Sequence, residues 1–160
     1  PYTASDIHRG LATLELRMKR HCENAKVIAE YLQQHQLVSQ VYYPGLPSHP
    51  SHETAKRQMK GFGGMVSFKV NADSEDLARD FANNIAAQEP PVIRLSESLG
   101  SIISLLAHPA TMSHRTMTPE QMQEIGIDYS LFRLSVGIED VRDIQESIEH
   151  AFQAARKASR

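Results

Sequence analysis

Apolar residues at Leu11, Leu14, Met18, Cys22, Ala25, Ile28, Ala29 and Leu32 recur at the three-and-four spacing of one helical face. Arg17, Lys19, Arg20, Glu23, Lys26 and Glu30 mostly fill the positions between them. The pattern predicts one long amphipathic helix over 8–34, roughly 40 Å long at 1.5 Å per residue. Val38–Tyr43 then reads as a short strand closed by Pro44-Gly45, and Ser51 is placed to cap a short helix carrying Ala55 to Met59. Gly61-Phe62-Gly63-Gly64 breaks that helix, and Met65–Val70 alternates as a strand does. Asp73 or Ser74 is placed to cap a helix burying Leu77, Phe81 and Ile85, which Pro90-Pro91 ends.

The second half repeats this alternation. It begins at Val92 to Leu95, with a strand predicted at 102–106, a loop over 108–117, and a short helix starting at Thr118-Pro119-Glu120. A strand over Leu131–Val136 and a closing helix over 140–157 complete the chain, with Val141, Ile144, Ile148, Phe152 and Ala155 inward. Strands interleaved with helices predict an α/β fold, an α+β sandwich in which helices cover one side of an open sheet.

Composition narrows the function more than the fold. The 160 residues are 41% hydrophobic and carry 17 Lys and Arg against 19 Asp and Glu, for a formal charge of −2. That amount of apolar residue excludes low-hydrophobicity disorder, and the balanced charge supplies no whole-protein field for nucleic acid or anionic lipid. No apolar run approaches the ~18 residues that suggest a membrane span. The single Cys22 excludes an intrachain disulfide, which suits the cytoplasm. The chain opens on Pro1 rather than Met and turns helical almost at once, so it is expected to be a piece of a longer protein.

Arg133 is the most informative residue. Within its strand Phe132, Leu134, Val136 and Ile138 share one face, while Leu131, Arg133, Ser135 and Gly137 share the other. The guanidinium therefore points away from the apolar face, beside a hydroxyl and a glycine, where it suits a bidentate grip on a carboxylate. Pairing with Glu139 or Asp143 is the competing structural role, and the pattern leaves both open. Glu97-Ser98-Leu99-Gly100-Ser101 forms a polar turn able to present a carboxylate and a hydroxyl, or simply to turn the chain. His49 and His52, and His108 and His114, lack carboxylates at ligand spacing, so no metal site is expected. Gly61–Gly64 lacks the ending of a P-loop, and no nucleophile elbow is present. No acid, base and nucleophile set assembles.

Three segments then occur in order: Glu97-Ser98-Leu99-Gly100, His108-Pro109-Ala110-Thr111-Met112-Ser113-His114, and Arg133-Leu134-Ser135-Val136-Gly137-Ile138-Glu139-Asp140. Together with Gly61–Phe68, Arg9-Gly10-Leu11 and the stretch Leu14–His21, they closely resemble the C-terminal domain of the cystathionine γ-lyase and γ-synthase family of pyridoxal-phosphate enzymes. The resemblance implies a helix over 1–35 leading out of a large cofactor domain of a fold-type I enzyme, and a small C-terminal domain over 36–160. It implies that Arg133 binds the substrate α-carboxylate, that Ser98 shapes that site, and that Ser113 supports it less directly. Glu97 falls where a carboxylate marks the γ-acting members and an aromatic residue some β-lyases.

Ser101 stands where the family commonly has glycine, and Ile103 where it has an acidic residue. The latter change, in a predicted strand, is expected to affect packing. None of Lys19, Lys26, Lys56, Lys60, Lys69 or Lys157 lies in the family's Ser-x-x-Lys context. The Schiff-base lysine, and with it every catalytic residue, is thus expected in the missing large domain, and this chain is expected to be inert and to hold no pyridoxal phosphate covalently. The implied partners are an amino-acid substrate, that N-terminal domain and, for the whole cytoplasmic enzyme, a homotetramer. γ-Lyase is the reading preferred here, with γ-synthase, methionine γ-lyase and cystathionine β-lyase as alternatives. A free-standing amino-acid-binding or assembly domain is the competing reading of another class.

Overall fold

A computed structural model describes residues 2–71 and 75–158. The described elements run α1 (Tyr2–Ala12), α2 (Leu14–Gln34), β1 (Val38–Tyr42), α3 (His52–Gln58), β2 (Met65–Val70), α4 (Glu75–Ala86), β3 (Ile93–Leu95), β4 (Ser104–Ala107), α5 (Pro119–Glu124), β5 (Leu131–Ser135) and α6 (Val141–Ala158). The strands form one five-stranded sheet in the order β1-β2-β5-β4-β3. All neighbours are antiparallel except β3 and β4.

Period-two alternation sets the two faces. Val66, Phe68 and Val70 of β2 join Phe132 and Leu134 of β5 on a fully buried face. Helices α2, α4 and α6 cover that face with Ile28 and Leu32, Phe81 and Ile85, and Ile144, Ile148 and Phe152. Phe81 stacks on Phe152 at 4.3 Å and Phe68 on Phe132 at 5.5 Å. Each such side chain contributes about 1.5–3 kcal/mol by leaving water. The expected one-sided α/β arrangement is the one observed, and the face carrying Arg133 is left for other uses.

The single long helix is corrected. Helix α1 already starts at Tyr2, and the axis breaks at Thr13, whose φ of −109° and ψ of 4° leave the helical region before α2 resumes. Gly10 and β-branched Thr13 both weaken a helix there. The Arg17 guanidinium takes the Gly10 carbonyl at 2.7 Å and the Thr13 hydroxyl at 3.2 Å. The predicted apolar stripe also divides. Ala25, Ile28, Ala29 and Leu32 are buried, whereas α1 buries nothing and Leu11 is 60% exposed.

Smaller differences follow local chemistry. The capping candidates Asp73 and Ser74 lie outside the described residues. Thr118 does cap α5, in a reciprocal box with Gln121. Ser51 precedes α3 without a side-chain cap, and its N–H donates to the His49 ring at 3.1 Å. Strand β4 begins at Ser104, so Ile103 sits in the preceding loop, its N–H held by the Ser101 hydroxyl at 3.2 Å.

Candidate functional site

Strands β3 and β4 are parallel neighbours joined only by residues 96–103, far less than the helical crossover such pairs normally need. Because β3 is so short, the chain has to retreat only about 7 Å to restart beside it. The loop makes this return over the sheet face opposite the helices. There the Glu97 carbonyl accepts from Arg133 Nη2 at 2.6 Å, and the Gly100 N–H donates to Ser135 Oγ at 3.0 Å. Both partners lie on β5, beyond β4. The loop therefore crosses β4, where Leu105 and Ala107, which face the same way as Ser135 and Arg133, are buried.

The structure thus brings Arg133 and the Glu97–Ser98 turn together. Arg133 is half-buried, and among the described residues no carboxylate pairs with it. The competing role is thereby removed, because Glu139 is engaged elsewhere. The side chains of Glu97 and Ser98 are exposed, and the Ser98 N–H bonds back to Ser96 Oγ at 3.3 Å. Ser113 is exposed and its Oγ bonds its chain neighbour His114 at 2.8 Å. No hydrogen bond among the described residues joins Ser113 to Arg133. What the face offers is a guanidinium held at one nitrogen by the Glu97–Ser98 turn, with the rest of its fork unused among the described residues. That fork can bind and orient a carboxylate.

The end of β5 is held by groups that sequence reasoning missed. His21 Nδ1 donates to the Val136 carbonyl at 2.6 Å, and Asn24 Nδ2 donates to the carbonyls of Gly137 and Glu139 at 3.0 and 2.9 Å. Both side chains are buried at the point where α2 meets β5. Glu139 accepts from the Ser104 N–H at 2.5 Å and from its hydroxyl at 3.0 Å, while the Gly137 N–H donates to Ser104 Oγ at 2.9 Å. Gly137 is required for this approach, since a Cβ there would collide with the Glu139 carboxylate, the Ile102 carbonyl and the Ser104 nitrogen. Polar residues on a helix's inward face, as His21 and Asn24 are, were the only sequence signal available.

The remaining candidates serve locally. His108 is buried, stacks on Phe132 at 4.7 Å and bonds Thr111 and the Tyr129 carbonyl, both at 2.8 Å. Burial lowers its pKa from the ordinary value, partly opposed by the Tyr129 bond. His52 bonds the Pro44 carbonyl at 2.8 Å. Among the described residues no group of three or more His, Cys, Asp or Glu could hold a metal ion, and no helix is long and apolar enough to cross a membrane.

Comparison with known proteins identifies the family. The family described as "Cys/Met metabolism PLP-dependent enzyme" matches residues 1–153. The chain belongs to that family. Cystathionine β-lyase of Coxiella burnetii is 42% identical over 151 residues, covering 94% of this chain and 38% of that protein. Cystathionine γ-lyase of Dictyostelium discoideum is 48% identical over 143 residues, 89% of this chain and 35% of the relative. The crystal structure of cystathionine γ-synthase from Xanthomonas oryzae pv. oryzae in complex with cystathionine superimposes with a TM-score of 0.82 at 43% identity, over 93% of this chain and 37% of that one. The chain therefore spans well under half the length of these relatives.

Membership in this family implies pyridoxal phosphate in the full-length enzymes. No described lysine stands in a Ser-x-x-Lys context. Lys19, Lys26, Lys56, Lys60 and Lys157 are exposed, and Lys69 is engaged by Asp128 at 2.5 Å.

Proposed function

We propose that the chain is the C-terminal, substrate-carboxylate-binding domain of a pyridoxal-phosphate enzyme of trans-sulfuration, and that the enzyme is a cystathionine γ-lyase releasing cysteine from cystathionine. The observation that carries this reading is Arg133: a half-buried guanidinium on the sheet face opposite α2, α4 and α6, tied to the Glu97 carbonyl and, among the described residues, without a carboxylate partner. Glu97, exposed beside it, supports a γ-acting member. Residues 1–35 would lead from the large domain and 36–160 form the small one. Exposed apolar side chains on the first two helices, such as Ile7, Leu11 and Leu16, and by the loop, Leu99 and Ile102, suit burial against the rest of such a protein.

In this reading the chain's residues bind and orient. Arg133 grips the α-carboxylate through the part of its fork not held by Glu97, which fixes the direction of the Cα–H bond. Ser98 shapes the same pocket, with Ser113 in a lesser supporting role. Pyridoxal phosphate, held by a lysine of the large domain, supplies the electron sink.

The test is product analysis of the enzyme containing this chain. Cysteine released from cystathionine is the expected result. Homocysteine release would assign a β-lyase, and cystathionine formed from an acylated homoserine and cysteine a γ-synthase.

A further inference from the structure

Loop and strand run side by side in the same chain direction, bonded at successive steps. Glu97 meets Arg133, Gly100 meets Ser135, Ile102 accepts from the Ile138 N–H at 2.9 Å, and Ser104 meets Gly137 and Glu139. The first two ties are single neutral or charge-assisted bonds at an exposed turn. The last is different in kind, because one carboxylate takes both donors of a fully buried serine. Charge-assisted bonds to a buried partner are the stronger sort. Glu139 is thus the fixed end of the ladder, and the Glu97 carbonyl that aims Arg133 is its free end.

We infer that Glu139 is a positioning residue for carboxylate binding: by clamping Ser104 it holds the 97–104 loop in register with β5, and so sets the orientation of the Arg133 fork. This rests on the reading of Arg133 as the carboxylate anchor. Glu139 touches no substrate in this scheme. Its effect travels through the main chain of the loop, so the side chain's hydrogen-bonding pattern matters more than its charge. A glutamine still accepts from the Ser104 N–H and faces the hydroxyl with an amide. An alanine leaves both donors of Ser104 without the carboxylate that accepts them.

The test measures binding of propionate, a carboxylate without an amino group, to the enzyme containing this chain, by NMR titration. Parent, Glu139→Ala, Glu139→Gln, Arg133→Ala and the Glu139→Ala/Arg133→Ala double variant are compared. Glu139→Ala is expected to weaken propionate binding about tenfold, Glu139→Gln by less than about twofold, and the double variant no more than Arg133→Ala alone, since coupled sites are not additive. A Glu139→Ala affinity within about twofold of the parent, with Arg133→Ala weakened, overturns the positioning role and leaves the anchor standing. Equal losses from Glu139→Ala with and without Arg133 overturn it in favour of a general structural role. Unchanged binding in Arg133→Ala overturns the anchor and the positioning role together. Should Glu139→Ala fail to fold, Glu139→Asp, whose shorter arm withdraws the carboxylate from Ser104, is read by the same criteria.

Discussion

Arg133 and Glu97 are joined by the main chain of one and the guanidinium of the other, at 2.6 Å, and not by their opposite charges. The Glu97 carboxylate is left exposed and the rest of the Arg133 fork is left for another acceptor. The neighbouring bond from Gly100 to Ser135 steadies the same turn. Ser135→Ala is therefore expected to loosen the loop without unfolding the protein, at a cost of about 1 kcal/mol. Amide hydrogen exchange would show faster exchange at Gly100 and little change in the core strands.

His21 and Asn24 anchor α2 to the end of β5 from inside the protein. His21→Ala removes the donor to the Val136 carbonyl and leaves a void against Gly64, so a loss of about 2–4 kcal/mol is expected in urea unfolding. Asn24→Ala should cost about 1–3 kcal/mol by freeing two carbonyls together.

Gly137→Ala introduces a methyl group into the contact between Glu139, Ile102 and Ser104. Its expected destabilisation is about 1–3 kcal/mol, from overpacking against main chain that cannot swing aside. The Ser104 amide should exchange faster in this variant as the Glu139 bond opens.

Burial holds the His108 pKa below the ordinary histidine value of 6.5. Its neutral ring donates to the Tyr129 carbonyl and accepts from Thr111, a pattern protonation would break. The unfolded chain binds the proton more readily, so the contribution of a neutral His108 is complete above pH 6.5 and is lost as pH falls toward the folded-state pKa. The stability difference between the parent and His108→Gln should shrink over that interval, as measured by urea titrations at successive pH values.

The 160-residue chain on its own is expected to form no stoichiometric complex with pyridoxal phosphate that survives dialysis. Visible absorption spectroscopy checks this. A retained band from one specific lysine would mean that a lysine outside the Ser-x-x-Lys context can hold the group.

Most of the fold was legible because its elements carry strong periodicity. The alternation around Arg133 set the two faces of β5 correctly, and the apolar spacing of Ala25 to Leu32 found the buried stripe of α2. The break at Thr13 was not legible, because apolar spacing continues across it and the Arg17 contacts that fix it lie on the outside. The loop was recognised as polar, yet its path over β4 depends on the parallel pairing of Ile93 with Ser104, which no local pattern encodes. For the same reason Glu139, six residues along the chain, stayed open as a partner for Arg133, when its carboxylate accepts from Ser104.

The most direct measurement is the Michaelis constant for cystathionine in the enzyme containing this chain, parent against Arg133→Ala. Losing a charge-assisted bidentate grip should raise it about 100-fold, equivalent to about 2.7 kcal/mol, while Arg133→Lys, which keeps the charge but not the fork, falls between. An Arg133→Ala enzyme with the parent's Michaelis constant would contradict the assignment of this face as the carboxylate site.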